Sequence, residues 1–150
     1  MTLPDDLIWN ARAYVYQHFA ETTFAPTLDD VAAHFQLSDA EAIEVFDELN
    51  ARHAFFLEPD THDIRIANPF SAVPTDFSVQ ARDKAYYANC AWDALGIAAA
   101  LHSDAVINAT YAADDAPLTL TIRDGQVHHP KAVVHLLVPF ANWYDDMVFT

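Results

Sequence analysis

Tyr86-Tyr87-Ala88-Asn89-Cys90-Ala91-Trp92-Asp93-Ala94-Leu95-Gly96-Ile97 is the stretch that decides how the second half of this 150-residue chain is read. It holds the only cysteine, Cys90, three residues before Asp93, and an apolar run follows. On a helix, the i, i+3 spacing puts the thiol and the carboxyl on one face. A thiolate is a nucleophile and a ligand for soft metals, and a neighbouring carboxyl group can give or take a proton. The stretch therefore predicts a helix over about residues 84–101, with thiol or metal–carbon chemistry near its start.

Downstream, alternating apolar residues predict strands over 105–111, 117–123, 126–129 and 132–139, with Asp124-Gly125 as a hairpin turn. Upstream, residues 67–80 are punctuated by Pro69 and Pro74 yet carry Phe70, Val73, Phe77 and Val79, so they read as a linker packed on the core. Further upstream, Leu7, Ile8, Ala11, Val15 and Phe19 recur at helical spacing behind Pro4 and two aspartates. Thr27 is the expected N-cap of a helix over 28–35, and Ser38 with Glu41 makes a capping box for one over 40–52. Residues 53–58 and 64–66 then predict a hairpin around Pro59-Asp60.

Helices that precede strands predict an α+β architecture. The expected organisation is a winged-helix-like three-helix lobe over 1–66, the packed linker over 67–80, and an α+β core over 81–150.

Composition narrows the function. The chain carries 22 acidic and seven basic residues, a formal charge of −15, which repels nucleic-acid backbones. The third helix of the N-terminal lobe bears Asp39, Glu41, Glu44, Asp47 and Glu48 where a DNA reader needs donors, so a packing scaffold is favoured over a DNA-binding module. An acidic, lysine-poor globular chain is what a salt-rich cytoplasm favours, and an ordinary acidic protein is the other reading. One cysteine cannot form an internal disulfide, no signal-peptide pattern opens the chain, and the apolar runs 94–101 and 132–141 are too short to span a bilayer. A soluble cytoplasmic protein, with neither nucleic acid nor membrane as a partner, is the expectation.

The residues then resemble a known family, the alkylmercury (organomercurial) lyases. The resemblance rests on Asn68-Pro69-Phe70-Ser71-Ala72-Val73-Pro74-Thr75, on Tyr87 to Ile97, on Ala132 to Pro139, and on Trp143 to Phe149. It implies an alkylmercury-lyase-like core, a helix packed on mostly antiparallel strands. It also implies cleavage of a carbon–mercury bond by protonolysis, giving a hydrocarbon and bound Hg(II), in mercury detoxification. The first family cysteine maps onto Cys90 and the family aspartate onto Asp93, as catalytic residues and as ligands to the metal. Two departures accompany it. A further cysteine of many members is replaced at Tyr111, and the second catalytic cysteine is expected just past Thr150, where the sequence stops. The second sulfur would then come from a small-molecule thiol or from residues beyond Thr150, selenocysteine included; the third reading is a protein that no longer catalyses.

The chemistry can be rebuilt from the residues. Backbone N–H groups at a helix start favour a thiolate at Cys90, which captures the soft metal. Asp93, with its pKa raised by apolar neighbours, protonates the departing carbon. Phe70, Tyr87 and Trp92 are the expected walls of the substrate pocket. No resident cofactor is required; an organomercurial is the substrate, with an external thiol or a mercuric reductase accepting Hg(II). Two other functions stand beside this one: a non-enzymatic carrier holding Hg(II) or Cu(I) through Cys90, and an acidic winged-helix interaction module. His128 and His129 alternate across a strand and so do not chelate by themselves, and Trp143, Tyr144 and Phe149 read as core.

Overall fold

The computed structural model describes residues 3–128 and 131–148. It divides into two compact units, Met1–Ala67 and Asn68–Thr150. The architecture is α+β.

The first unit runs α1 (Asp5–Thr22), α2 (Leu28–Phe35), α3 (Asp39–Ala51), β1 (Phe56–Leu57) and β2 (Ile64–Ala67). Ile8, Ala11, Val15 and Phe19 recur every three or four residues, so α1 buries a single stripe. Val31, Val45, Phe46 and Leu49 are buried on the other two helices, and Phe55 meets Phe46 edge to face at 5.3 Å. Ser38 and Glu41 exchange side-chain and backbone bonds as expected; Thr27 does the same with Asp30, a second capping box. The first hairpin strand is shorter than the sequence predicts. Leu49 accepts the Ala54 N–H and His53 adopts a left-handed φ of 55°, so residues 53–55 serve to end α3 instead of extending β1.

The second unit is an antiparallel sheet with strands in the order β3-β5-β4-β6-β7-β8, packed against one helix, α4 (Ala91–Leu101). Its strands are β3 (Phe70–Ser71), β4 (Ser78–Ala81), β5 (Lys84–Ala88), β6 (Ala105–Thr110), β7 (Pro117–Arg123) and β8 (Gln126–His128). The Asp124-Gly125 turn forms as expected, both residues at positive φ, closing β7 onto β8 with Arg123 opposite Gln126. The last residue of that predicted strand, His129, lies outside the described residues.

Three expectations fail here. The helix predicted over 84–101 is a strand followed by a helix. Arg82 and Asp83, both left-handed, make a two-residue turn that folds Lys84–Ala88 back on β4, pairing Ala81 with Lys84 and Ser78 with Tyr87. Tyr86 and Ala88 then point to one face and are buried, Tyr86 against Phe70 with ring centres 5.6 Å apart. Second, the presumed linker holds β3 and β4 and supplies Val79 to the core. Third, the strand expected over 132–139 is absent. Val133 is 86% exposed and no described strand pairs with it, so its β-branched side chains have no ladder to join. A 3-10 helix, Phe140–Asp145, follows, and residues 146–148 are not a strand either.

The helix α4 is held where it begins and where it ends. Its first turn follows β5 after two residues, Asn89 and the N-cap Cys90. At the other end, the Arg82 guanidinium donates to the Leu101 carbonyl, one of the helix-end acceptors that lack an intrahelical donor. Gly96 lets the helix approach Pro69, because a Cβ there would lie 3.2 Å from the proline Cβ. No described helix is long and apolar enough to cross a membrane.

Candidate active site at the start of the fourth helix

Cys90 is the N-cap of α4, with extended backbone, and Asp93 lies in the first turn. The Cys90 side chain makes no cap bond to the helix. Its Sγ lies 3.7 Å from Asp93 Oδ2, to which the thiol donates. Asn68 donates from Nδ2 to the same oxygen at 2.8 Å. Asn68 belongs to the short stretch before β3 and is joined to Pro69 by a cis peptide bond. The contact between Gly96 and Pro69 thus seats α4 beside the residue that clamps its carboxyl.

A small cavity of about 20 Å3 opens at this point. Its lining comes from two parts of the sequence: Asn68, Asn89, Cys90, Trp92 and Asp93 from the first, Leu136, Trp143 and Met147 from the second. Asn89 ties the two sides together by donating from Nδ2 to the Met147 carbonyl at 3.0 Å. The Trp143 indole N–H donates to Val138 at 2.9 Å and so fixes the ring.

Of the five residues singled out in the sequence, Cys90, Asp93 and Trp92 line this cavity. Phe70 is buried in the sheet core against Tyr86, and Tyr87 is partly exposed on β5; neither is among the lining residues. Asn68, Asn89, Leu136, Trp143 and Met147 complete the site. The sequence carried one signal for the first of these: a carboxyl in apolar surroundings needs a hydrogen-bond donor. Which donor comes near is a matter of tertiary packing. Trp143, expected in the core, walls the site. Among the described residues, no group of three or more His, Cys, Asp or Glu side chains converges. His129 and Phe149 lie outside those residues.

Electrostatics reverse one expectation. Burial pushes the Cys90 thiol above its ordinary pKa, and the nearby Asp93 charge and thiol hydrogen bond add to it; the N–H groups of Asp93 and Trp92 pull the other way and lose. The helix start therefore does not make a free thiolate here. Asp93 is also raised, by burial of a side chain that is only 7% exposed, against the lowering effect of the Asn68 and Cys90 hydrogen bonds. Both groups thus bind a proton more tightly than in water, and the thiol donates to Asp93 Oδ2.

The Asn68 bond gives an expected result. Asn68→Ala removes one of two bonds that favour the carboxylate, so the Asp93 titration midpoint should move further up, read from its carboxyl carbon by NMR. The linkage follows in sign. A raised folded pKa means that the folded state holds the proton better, so this group's stabilisation is complete below the unfolded value of 3.8 and is lost as pH rises through the folded value. In Asn68→Ala that loss should extend to higher pH in urea titrations. An unmoved midpoint would show that the bond does not govern the carboxyl.

A family model described as alkylmercury lyase matches residues 70–150, which include Cys90, Asp93 and most of the cavity walls. No curated protein sequence matches the chain. Among solved structures, the mercury-bound form of MerB2 superposes with a TM-score of 0.68 at 21% identity, over 87% of this chain and 63% of its own. The chain thus spans less than two thirds of that protein's length, and the likeness is one of fold.

Proposed function

The chain belongs to the alkylmercury lyase family, and from that premise we propose that it cleaves carbon–mercury bonds by protonolysis, with Cys90 as the capturing sulfur and Asp93 as the acid. The observation that carries the reading is the thiol-to-carboxyl hydrogen bond, Sγ to Oδ2 at 3.7 Å, inside a largely apolar cavity. Capture breaks the S–H bond and the bond between mercury and its anionic ligand, a halide, carboxylate or thiolate that leaves to solvent, and forms a sulfur–mercury bond. The proton has an acceptor already in place at Oδ2, a site whose burial favours the protonated form. Asp93 then delivers that proton to the carbon. The carbon–mercury bond breaks with its electron pair going to the new carbon–hydrogen bond, and Hg(II) stays on the Cys90 sulfur with the carboxylate beside it. Asn68 keeps the carboxyl oriented through both steps.

A thiol from solution supplies the second sulfur and carries Hg(II) away, to a mercuric reductase in a detoxifying cell. The acidic, lysine-poor composition supports a salt-rich cytoplasm as the place of action. In the N-terminal unit, the three helices and hairpin support a winged-helix-like lobe that acts as a scaffold.

One observation favours a second reading: with a single thiol in these 150 residues and no three-donor cluster among those described, the chain could hold Hg(II) or Cu(I) without cleaving anything. Incubation with phenylmercury and excess thiol separates the two. Release of benzene, one per mercury captured, supports the lyase; stoichiometric mercury on the protein with no benzene supports the carrier.

A further inference from the structure

Three of the chain's seven basic residues, Arg82, Lys84 and Arg123, line one hollow of about 560 Å3 in the second unit, a volume in the range of small-molecule sites. We propose that this hollow binds a small polyanion, a molecule carrying phosphate or carboxylate groups at two separated points. It is distinct from the thiol site: Lys84 opens β5, and Cys90 follows the other end of that strand, about 20 Å of extended chain away. The inference therefore does not rest on the reading of Cys90.

Strand pairing assembles the hollow. Arg82 and Lys84 flank Asp83 in the turn that joins β4 to β5, and Arg123 ends β7. Between them, Ala85, Gln80, Val106 and Thr121 are successive partners on four strands and so form one row across the sheet. Their chain neighbours Ala81, Ala105 and Ile122 are buried, so strand alternation turns the row away from α4. Gln80 and Thr121 add an amide and a hydroxyl to it, donors that suit an oxyanion.

Charge decides what enters. With 22 acidic residues for seven basic ones, each cation is expected to find a carboxylate. Arg52 and Arg65 do so, on Asp5, Glu48 and Glu58. Among the described residues, no salt bridge engages Arg82, Lys84 or Arg123, although Asp83 and Asp104 line the same hollow. Asp104 instead accepts the Asp124 backbone N–H, and Arg82 uses one N–H group on the Leu101 carbonyl, which leaves its others for a ligand. In about 0.15 M salt the screening length is about 8 Å, so a molecule inside senses chiefly the charges that line the hollow and not the −15 of the whole chain. Three strand spacings, about 14 Å, separate the backbones of β5 and β7. An anion charged at both ends therefore engages Lys84 and Arg123 together better than a single charge does.

The test titrates the full chain with sodium pyrophosphate and, separately, with sodium citrate in about 0.15 M salt, followed by calorimetry and by amide NMR. The two probes distinguish a phosphate from a carboxylate ligand. At least one is expected to bind saturably and to move the amide signals of residues 80–84 and 121–123. Lys84→Gln and Arg123→Gln, made separately, are each expected to weaken that binding by about ten-fold, the scale of one hydrogen bond to a charged group. Both side chains are exposed, so neither change disturbs the core. Lys131→Gln alters the net charge equally at a residue outside the hollow and is expected to leave binding as it is. The proposal is overturned if neither probe binds, if the signals that move lie elsewhere, if either hollow variant binds like the wild type, or if Lys131→Gln weakens binding as much.

Discussion

Cys90→Ala is expected to abolish mercury capture and hydrocarbon release together, down to the protein-free blank. Cys90 is the only cysteine in the sequence, and no converging group of His, Cys, Asp or Glu among the described residues offers a substitute. A single carboxylate is a hard ligand and holds Hg(II) poorly without sulfur. The variant should fold, because the Cys90 side chain makes no cap hydrogen bond to α4 and is only half-buried. Deleting the sulfur leaves Asp93 with its Asn68 bond. Equilibrium dialysis against phenylmercury with analysis of bound mercury is the direct measurement. Stoichiometric mercury on Cys90→Ala would sink the assignment of capture to this thiol.

Asp93→Asn is expected to separate the two steps, keeping capture and losing cleavage by roughly 10²- to 10⁴-fold, the usual contribution of a positioned general acid. The amide matches the carboxyl in shape, and its oxygen can still accept from Asn68, so the loss is chemical. A second effect should appear at the sulfur. Burial does most to raise the Cys90 pKa, but the Asp93 charge and its hydrogen bond to the thiol raise it too, and the substitution removes that charge. The midpoint of the iodoacetamide alkylation profile should therefore move down toward the ordinary thiol value. Single-turnover benzene release tests the first effect and alkylation the second. Cleavage at the wild-type rate in Asp93→Asn would remove Asp93 as the proton donor, whatever happens to the alkylation midpoint.

Both expectations turn on a feature legible in the chain. Cys90 and Asp93 are three residues apart, and once a helix begins at Ala91 that separation alone brings them within hydrogen-bond reach. The N-cap at Thr27, the capping box at Ser38 and the Asp124-Gly125 turn were open to reading for the same reason, since each bond joins residues within one turn of backbone. Tyr86 and Tyr87 were not. Taken alone, Lys84 to Ala88 suits a helix or a strand, and its pairing with Ser78–Ala81 settles which. The run from Ala132 to Val138 misleads in the opposite sense: its side chains favour a strand, but no described strand is available to pair with it.

The site divides along the same line. What the sequence determined by itself was the local chemistry: one thiol, one carboxyl, one helix face. Only the tertiary structure decided how that chemistry is set. It brought Asn68 from 25 residues away onto Asp93 Oδ2, placed Trp143 across the cavity, and left Phe70 in the core. It also overrode the helix start, keeping Cys90 as a thiol because desolvation outweighs two backbone N–H groups. The physical reason is one of range. Spacing along a helix depends on neighbouring residues and travels with the sequence, whereas burial and clamping depend on what the remainder of the chain brings alongside.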